Sequence, residues 1–244
     1  MTLTIQYASD LHLEMLDKIP DNIIIPVAPY LTLLGDIGDP YSKNYITLIA
    51  TVSKQFEKVF LLAGNHEFYG NFYKDTIHQI RNVVSRYPNV IFLDNDIYEL
   101  NGIRIYGAVL WSDVSAHAEK YIADYYHIKM KYREYLTREQ TRSWFNATCV
   151  QIEHLIKDND TPLLIFTHHA PHPTMSGNFQ GGELCSAFTS DLTALLKKPV
   201  VAWLSGHTHV NMEVEINGVK LGANCYGYDK KERETYDNKK IITI

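Results

Sequence analysis

Five short polar clusters, spread from residue 10 to residue 209, each follow an apolar run of the kind that forms a β-strand. The clusters are Asp10-Leu11-His12, Gly35-Asp36, Gly64-Asn65-His66-Glu67, His168-His169 and Gly206-His207-Thr208-His209. Open α/β folds place their sites in loops just past the strand ends, so the pattern favours such a fold. Because neither half of the chain contains the whole set, we expect residues 1–244 to form a single domain.

These clusters offer carboxylates, an amide oxygen and imidazoles, which are the ligands that a pair of divalent metal ions needs. An isolated Asp-x-His triplet or Gly-Asp pair carries little information, because such short patterns are common. Here, however, six of the eleven histidines lie in the clusters, and each cluster follows a separate apolar run. This conjunction predicts a site for two metal ions, an arrangement that serves phosphoester hydrolysis.

The overall charge bears on which partners the chain can bind. The 244 residues carry a formal net charge of −5, whereas non-specific binding of DNA or RNA relies on basic surface. A dense run of lysine and arginine between Lys129 and Arg142 leaves a local basic patch open as an alternative, but we interpret the run as a solvated helix face. Nucleic acid is therefore disfavoured as a partner.

Cysteine usage and the first residues indicate the compartment. Three cysteines, at positions 149, 185 and 225, form no Cys-x-x-Cys pair, so a disulfide framework is not expected. The first ten residues alternate like a strand and lack the basic and apolar regions of a signal peptide. We expect a cytoplasmic protein with no membrane span.

The hydrophobic pattern along the chain predicts α/β structure with mixed sheets. Strands are expected over 3–8, 30–34, 58–63, 90–93, 97–100, 103–109, 163–167, 200–204, 213–216, 219–221 and 241–244. Helices are expected over 45–56, 73–87, 137–157 and 190–197, the third opened by a capping box from Thr137 to Gln140. Residues 115–135 have no clean period and are predicted partly helical, and 170–187 are predicted to form a long loop.

In this order along the chain, Asp-x-His, Gly-Asp, Gly-Asn-His-Glu, a strand-end His and Gly-His-x-His resemble the calcineurin-like metallophosphoesterases. The resemblance covers residues 10 to 209 and implies a four-layer α/β/β/α sandwich of two mixed β-sheets flanked by helices. It implies that one metal ion is held by Asp10, His12, Asp36 and His209. It implies that a second is held by Asp36, Asn65, His168 and His207, with Asp36 bridging and His169 as the alternative to His168.

The resemblance also implies a mechanism. A hydroxide held between the two metal ions would attack phosphorus, and His66 would protonate the leaving alkoxide. Asp39 matches the position whose carboxylate orients that histidine. The mixed nitrogen and oxygen ligands accept Mn, Fe, Zn, Co or Ni, and of these we favour Mn.

Two departures from the family pattern narrow the range of expected substrates. Protein serine/threonine phosphatases of this superfamily carry two phosphate-gripping arginines, but here Pro40 follows Asp39 and Leu62-Ala63 precedes Gly64. A phosphoprotein substrate is therefore disfavoured, and the chain looks more like small bacterial and phage-type members. We expect hydrolysis of a small phosphomonoester or phosphodiester.

Two other functions stay open at this point, namely a nuclease acting on DNA or RNA and a non-catalytic metal-binding scaffold of the same fold. Three segments are candidates for the rim of the pocket: 68–70, 125–127 and the loop 170–187. An aromatic rim would suit a nucleobase or an aryl leaving group. The alternative is that these aromatic side chains pack on the outside of the fold.

Overall fold

Two mixed β-sheets and their flanking helices make up the computed structural model, which describes residues 2–158 and 160–244. The strands are β1 (Thr4–Ala8), β2 (Tyr30–Leu34), β3 (Lys58–Leu62), β4 (Val90–Phe92), β5 (Asp96–Leu100), β6 (Ile103–Ala108), β7 (Lys129–Lys131), β8 (Glu134–Tyr135), β9 (Leu163–Thr167), β10 (Val200–Ser205), β11 (Met212–Ile216), β12 (Val219–Ala223) and β13 (Ile241–Thr243). The helices are α1 (Lys43–Gln55), α2 (Tyr73–Val84), α3 (Asp124–His127), α4 (Arg138–Asp158), α5 (Cys185–Phe188) and α6 (Lys230–Arg233). Short 3-10 turns cover Leu13–Met15, His66–Phe68, Ala118–Tyr121, Pro173–Phe179 and Thr193–Leu195.

Each large sheet has a parallel centre, with one antiparallel edge strand in the first sheet and two in the second. The first sheet has the order β13-β1-β2-β3-β4, in which only β13 runs antiparallel. The second has the order β11-β12-β10-β9-β6-β5, in which β11 and β5 run antiparallel. β7 and β8 form a separate hairpin. The parallel centres place all five polar clusters at the carboxyl ends of strands, where binding sites of α/β sheets lie.

The two sheets bury a shared apolar layer between them. Buried side chains from both sheets pack together there, among them Ile5, Leu34, Phe60, Ile105, Phe166 and Leu204. A second cluster lies between the first sheet and helices α1 and α2, and a third between the second sheet and α4. The central strands are therefore covered on both faces, which explains why they read as continuous apolar runs. The predicted four-layer sandwich is confirmed.

Most predicted elements occur within a few residues of their expected bounds. The strands at 30–34 and 163–167 match, and the capping box of α4 is formed, because Gln140 N donates to Thr137 Oγ1 at 3.3 Å and Thr137 N donates to Gln140 Oε1 at 3.0 Å. Among the described helices, none is long and apolar enough to cross a membrane.

Three segments differ from prediction. The expected helix over 190–197 is only the 3-10 turn Thr193–Leu195, because Leu192 and Leu196 on either side of it have non-helical backbone angles. The expected loop 170–187 contains a 3-10 turn and α5, and 115–135 contains a 3-10 turn, α3 and the β7–β8 hairpin. Helix α6 has no clear sequence pattern.

Candidate metal centre

The backbone at the polar clusters is held in an unusual conformation. Five of the predicted ligands have a left-handed φ between 46° and 67°: Asp10, His12, Asp36, His207 and His209. This region is uncommon for residues other than glycine and costs roughly 1–3 kcal/mol at each position. Such strain persists only where the surrounding structure imposes it, and it concentrates at functional sites. Here it turns each side chain towards a common centre at the end of the sandwich.

Glu67 joins the loop that follows β2 to the loop that follows β3. Its buried carboxylate accepts hydrogen bonds from four backbone N–H groups: Asp36 at 3.0 Å, Ile37 at 2.7 Å, Gly38 at 3.4 Å and Gly64 at 2.7 Å. The two loops also approach so closely that a Cβ on Gly64 would collide with Asp36 Oδ1. Glu67 therefore has a structural role that its position in a Gly-Asn-His-Glu run does not reveal.

We expect Glu67→Gln to destabilise the metal-free protein, because the new amide nitrogen would face N–H donors in place of an oxygen. Buried donors that lose their acceptor cost about 3 kcal/mol in total, so the melting temperature should fall by roughly 10 °C for a chain of this size. Thermal unfolding followed by circular dichroism measures the change. The exposed Glu57 provides the matched Glu57→Gln control, and an equal melting temperature for both variants would contradict the role of Glu67.

The first group of predicted ligands consists of Asp10, His12 and His209. Asp10 Oδ1 lies 3.3 Å from His209 Nε2 and 4.0 Å from His12 Nε2. The two Nε2 atoms lie 3.2 Å apart. Two imidazole nitrogens at this distance need a shared proton or a cation between them, so the donor set fits a metal ion.

The second group consists of Asp36, Asn65, His168 and His207. His168 Nε2 lies 3.0 Å from Asn65 Oδ1 and 3.3 Å from Asp36 Oδ2, and His207 has a ring nitrogen within 4.8 Å of both Asp36 and His168. Asp36 Oδ2 is also 3.9 Å from His12 Nε2. One carboxylate oxygen thus faces both groups, as a bridging ligand would. His169, the alternative to His168, instead packs against His207 with ring centroids 4.0 Å apart and the ring planes tilted by 34°.

Each histidine of the two groups has its other ring nitrogen engaged by an acceptor. The pairs are His12 Nδ1 with Glu14 at 3.0 Å, His168 Nδ1 with Leu34 O at 2.9 Å, His207 Nε2 with Ala187 O at 3.2 Å and His209 Nδ1 with Glu232 at 3.0 Å. Metal-ligating histidines usually donate their second N–H to a carboxylate or carbonyl, which fixes the ring and its tautomer. The free nitrogens are therefore oriented to bind cations.

The electrostatics of the metal-free site also favour positive charge at its centre. Burial opposes protonation of His168 and His209, but the charges of Asp36 and Asp10 outweigh it and raise the pKa of these histidines to about 10 and about 9. Burial raises the pKa of Asp10 and Asp36, but neighbouring imidazoles outweigh it and lower both values. In the metal-free site, protons on the imidazoles thus balance the charge of two buried carboxylates. Bound divalent ions would neutralise the same carboxylates in place of these protons.

His66 lies beside the two groups, between a carboxylate and a phenol. Its Nδ1 is 3.3 Å from Glu14 Oε1, its Nε2 is 2.9 Å from the Tyr228 hydroxyl, and its ring stacks on Tyr69 at a centroid distance of 4.2 Å. Burial lowers its pKa, but the charges of Asp36 and Glu14 outweigh this and raise the value to about 9. His66 is therefore protonated at neutral pH. Its Nε2 lies within hydrogen-bond distance of a hydroxyl group in the cavity wall, so an alcohol oxygen can reach it.

Asp39, the residue expected to orient His66, is placed elsewhere. Its Oδ1 accepts a hydrogen bond from the backbone N–H of Tyr41 at 3.0 Å. This is a local turn that aspartate commonly makes with the residue two positions on. The carboxylate beside His66 is that of Glu14, a position that none of the sequence clusters includes. Hydrogen bonds from His12 and His66 outweigh the effect of burial and lower the pKa of Glu14 to about 2.

Two further carboxylates support the ligands. Asp124 is buried and accepts hydrogen bonds from Asn65 Nδ2 at 2.8 Å and from the Tyr69 hydroxyl at 2.6 Å. This pairing turns Asn65 Oδ1 towards His168. Glu232, on α6, holds His209. Neither position belongs to a recognisable motif, because each reaches the site only through packing of the folded chain.

A cavity of about 440 Å³ opens from the two groups to the surface. Of the three expected rim segments, 68–70 contributes Tyr69 to the wall, and the loop 170–187 contributes Phe179 and Ala187. Phe188, one residue past that loop, lines the cavity as well. Phe68 is buried in the core, and Tyr125, Tyr126 and His127 are not among the described residues that line the cavity. Tyr228 and Tyr121 line it as well, although neither position was predicted to belong to the rim.

Comparison with known proteins identifies relatives of the chain. A family model described as calcineurin-like phosphoesterase matches residues 3–211. The uncharacterised protein L509 of Acanthamoeba polyphaga mimivirus is 34% identical over 276 aligned positions, which cover 98% of this chain and 96% of that protein.

Solved structures share the fold at low sequence identity. The crystal structure of phosphopantetheinyl hydrolase (PptH) from Mycobacterium tuberculosis matches with a TM-score of 0.76 and 18% identity, covering 99% of this chain and 95% of that one. The structure of TT1561 from Thermus thermophilus matches with a TM-score of 0.59 and 13% identity, covering 100% and 98%. At these identities the likeness concerns the fold alone.

Proposed function

Because the chain belongs to the calcineurin-like phosphoesterase family and is a metal-dependent phosphoesterase, we propose that it hydrolyses a small phosphoester with two divalent ions. Asp10, His12, Asp36 and His209 would hold one ion. Asp36, Asn65, His168 and His207 would hold the other. The single observation that carries this proposal is the convergence of these seven side chains from five separate loops, with Asp36 Oδ2 facing both groups.

Two bound divalent ions would polarise the phosphoryl oxygens and supply a nucleophile from water near neutral pH. Side chains of the protein would donate the proton to the leaving oxygen and orient the donor. His66 would place its protonated Nε2 at the leaving oxygen, in the position that the Tyr228 hydroxyl takes at 2.9 Å. Glu14 would hold the ring of His66 in this orientation through Nδ1.

The metal and the ester type are the finer parts of the proposal. The nitrogen and oxygen ligands accept several first-row metals, and we propose Mn²⁺ as the working ion. One neighbour in fold is a phosphopantetheinyl hydrolase, which supports a small organic phosphoester as the substrate. The substrate is either a phosphomonoester or a phosphodiester, so the proposed activity includes that of a phosphodiesterase.

Hydrolysis of p-nitrophenyl phosphate and bis-p-nitrophenyl phosphate tests the proposed function. The protein would be stripped with EDTA, dialysed and assayed with and without added Mn²⁺. Turnover that depends on Mn²⁺ supports the proposal, and the ratio of the two rates distinguishes a monoesterase from a diesterase. Equal rates of the stripped and Mn²⁺-loaded protein on both esters would overturn the metal-dependent mechanism.

Because Glu14 contacts His66 and Asp39 does not, we expect substitutions of the two carboxylates to have different effects on activity. Glu14→Gln should lower kcat/KM about 10- to 100-fold, because outer-shell carboxylates of metal and catalytic histidines commonly contribute that much. Asp39→Asn should change kcat/KM less than about twofold, because its carboxylate serves a local turn and such surface changes are mild. Steady-state kinetics with Mn²⁺ and the melting temperatures of both variants measure the difference. A larger loss in the Asp39 variant would restore Asp39 as the orienting carboxylate.

A further inference from the structure

Part of the cavity wall is built by a substructure that we call the cap, defined as residues 114–124 and 179–188. The two cap segments bury a small apolar cluster of their own, formed by Val114, Ala118 and Ala187 and separate from the main cores. They are also joined by hydrogen bonds, because Ser115 N donates to Ser186 Oγ at 3.0 Å. The cap is therefore one packed unit placed beside the metal centre.

Aromatic side chains of the cap line the cavity next to the metal ligands. Phe188 lies 5.4 Å from the ring of His207, and Phe179 stacks on Phe188 with centroids 4.2 Å apart at 15°. Phe179 is 38% exposed and Tyr121 is 65% exposed, although both line the cavity. Large aromatic side chains left open inside a cavity are typical of ligand contacts.

The charges around the cavity restrict what can lie on that surface. Within the described parts of the chain, the residues lining it include three carboxylates, namely Asp36, Asp124 and Glu232, and no lysine or arginine. The two divalent ions can neutralise a single phosphate, and protonated His66 would face the leaving oxygen. A second anionic group on the substrate would meet the carboxylates of Asp124 and Glu232 in the cavity wall without a lysine or arginine to pair with it. Because like charges repel each other, a polyphosphate or a carboxylated alcohol fits poorly.

We propose that the cap forms the subsite for the leaving alcohol, and that the natural substrate is a singly phosphorylated ester whose alcohol is uncharged and apolar, with an aromatic group preferred. This inference rests on the proposed function for the position of the phosphate. The alcohol would lie along Phe188 and Phe179, which line the same cavity as His66 and its stacking partner Tyr69.

Binding of phosphonates that cannot be hydrolysed tests the subsite without relying on turnover. Isothermal titration of the Mn²⁺-loaded protein would compare 1-naphthylphosphonate, phenylphosphonate and 4-carboxyphenylphosphonate. We expect naphthyl to bind about tenfold more tightly than phenyl, the size of effect that one added aromatic contact gives. We expect the carboxylated compound to bind more weakly than phenyl.

The variant Phe179→Ala should weaken naphthylphosphonate binding about tenfold and so remove most of the advantage of naphthyl over phenyl. Phe72 has the same residue type and the same 38% exposure but lies outside the cavity, so Phe72→Ala is the matched control. The corresponding kcat/KM values of the naphthyl and phenyl phosphates should follow the same order, because their leaving phenols have similar acidity.

Equal affinities for naphthyl and phenyl in the unaltered protein, or equal effects of Phe179→Ala and Phe72→Ala, would overturn the subsite while leaving the proposed function intact. Tight binding of the carboxylated compound would overturn the argument from charge. If the phosphonates show the expected order but no ester is turned over, the subsite is supported and the proposed function fails.

Discussion

His66→Asn is expected to lower kcat about 100- to 10,000-fold, which is the usual contribution of a positioned general acid. The ring nitrogen Nε2 faces the cavity, and an oxygen already sits 2.9 Å from it. Asparagine cannot supply a proton in its place. Because His66 is not needed to hold either proposed ion, the variant should still bind the same amount of Mn²⁺.

The dependence on the leaving group distinguishes this role from a structural one. Across aryl phosphates with increasingly basic leaving phenols, the rate of the unaltered protein should fall gently, whereas that of the His66 variant should fall steeply. The control is His78→Asn, since His78 is exposed on helix α2. If the His66 variant lost activity equally for every leaving group, or lost its Mn²⁺, His66 would not be the proton donor.

Asp36→Asn is expected to abolish binding of at least one of the two ions and to lower kcat/KM by about 1,000-fold or more. A neutral amide offers one oxygen and cannot bridge two cations, and a metal ion contributes several kcal/mol to stabilising the transition state. Folding should survive, because the remaining Oδ1 can still accept the hydrogen bond from His66 N at 2.8 Å.

Metal analysis and kinetics of this variant should be compared with those of Asp21→Asn, a surface position whose side chain is 92% exposed. The surface variant should match the unaltered protein in both respects. Two tightly bound ions in the Asp36 variant would show that this carboxylate does not bridge them, and the assignment of the second group would have to change.

The parts of the site that the sequence predicts are those in which a local pattern and a strand end coincide. The apolar runs of β1, β2, β3, β9 and β10 are recognisable because both of their faces are buried, and the ligands follow them directly. Their left-handed turns bring the ligands together from positions as distant as Asp10 and His209.

The supporting residues could not be predicted in the same way. Asp124 and Glu232 reach Asn65 and His209 through contacts between segments far apart in the sequence, and no pattern marks either one. Glu14 had a weak signal, since it lies two residues after His12. The left-handed turn at His12 starts the 3-10 turn Leu13–Met15, which folds the Glu14 carboxylate back onto that ring.

The lining of the cavity depends even more on tertiary packing. Tyr228 follows the hairpin of β11 and β12, and no sequence pattern marks it, yet its hydroxyl lies 2.9 Å from His66 Nε2. Segments 115–135 and 170–187 lack a regular period because they form short turns. Their sequence therefore predicted a rim in general terms but not that Tyr121 and Phe179 would lie in one cavity.

The number of Mn²⁺ ions bound per chain shows directly whether the site holds two metal ions. Protein stripped with EDTA would be equilibrated with graded Mn²⁺ by dialysis and analysed by inductively coupled plasma mass spectrometry, with activity measured on the same samples. The two-metal mechanism predicts saturation at two ions per chain, with activity rising as the second ion binds. Saturation at one ion with full activity, or activity with none, would contradict it.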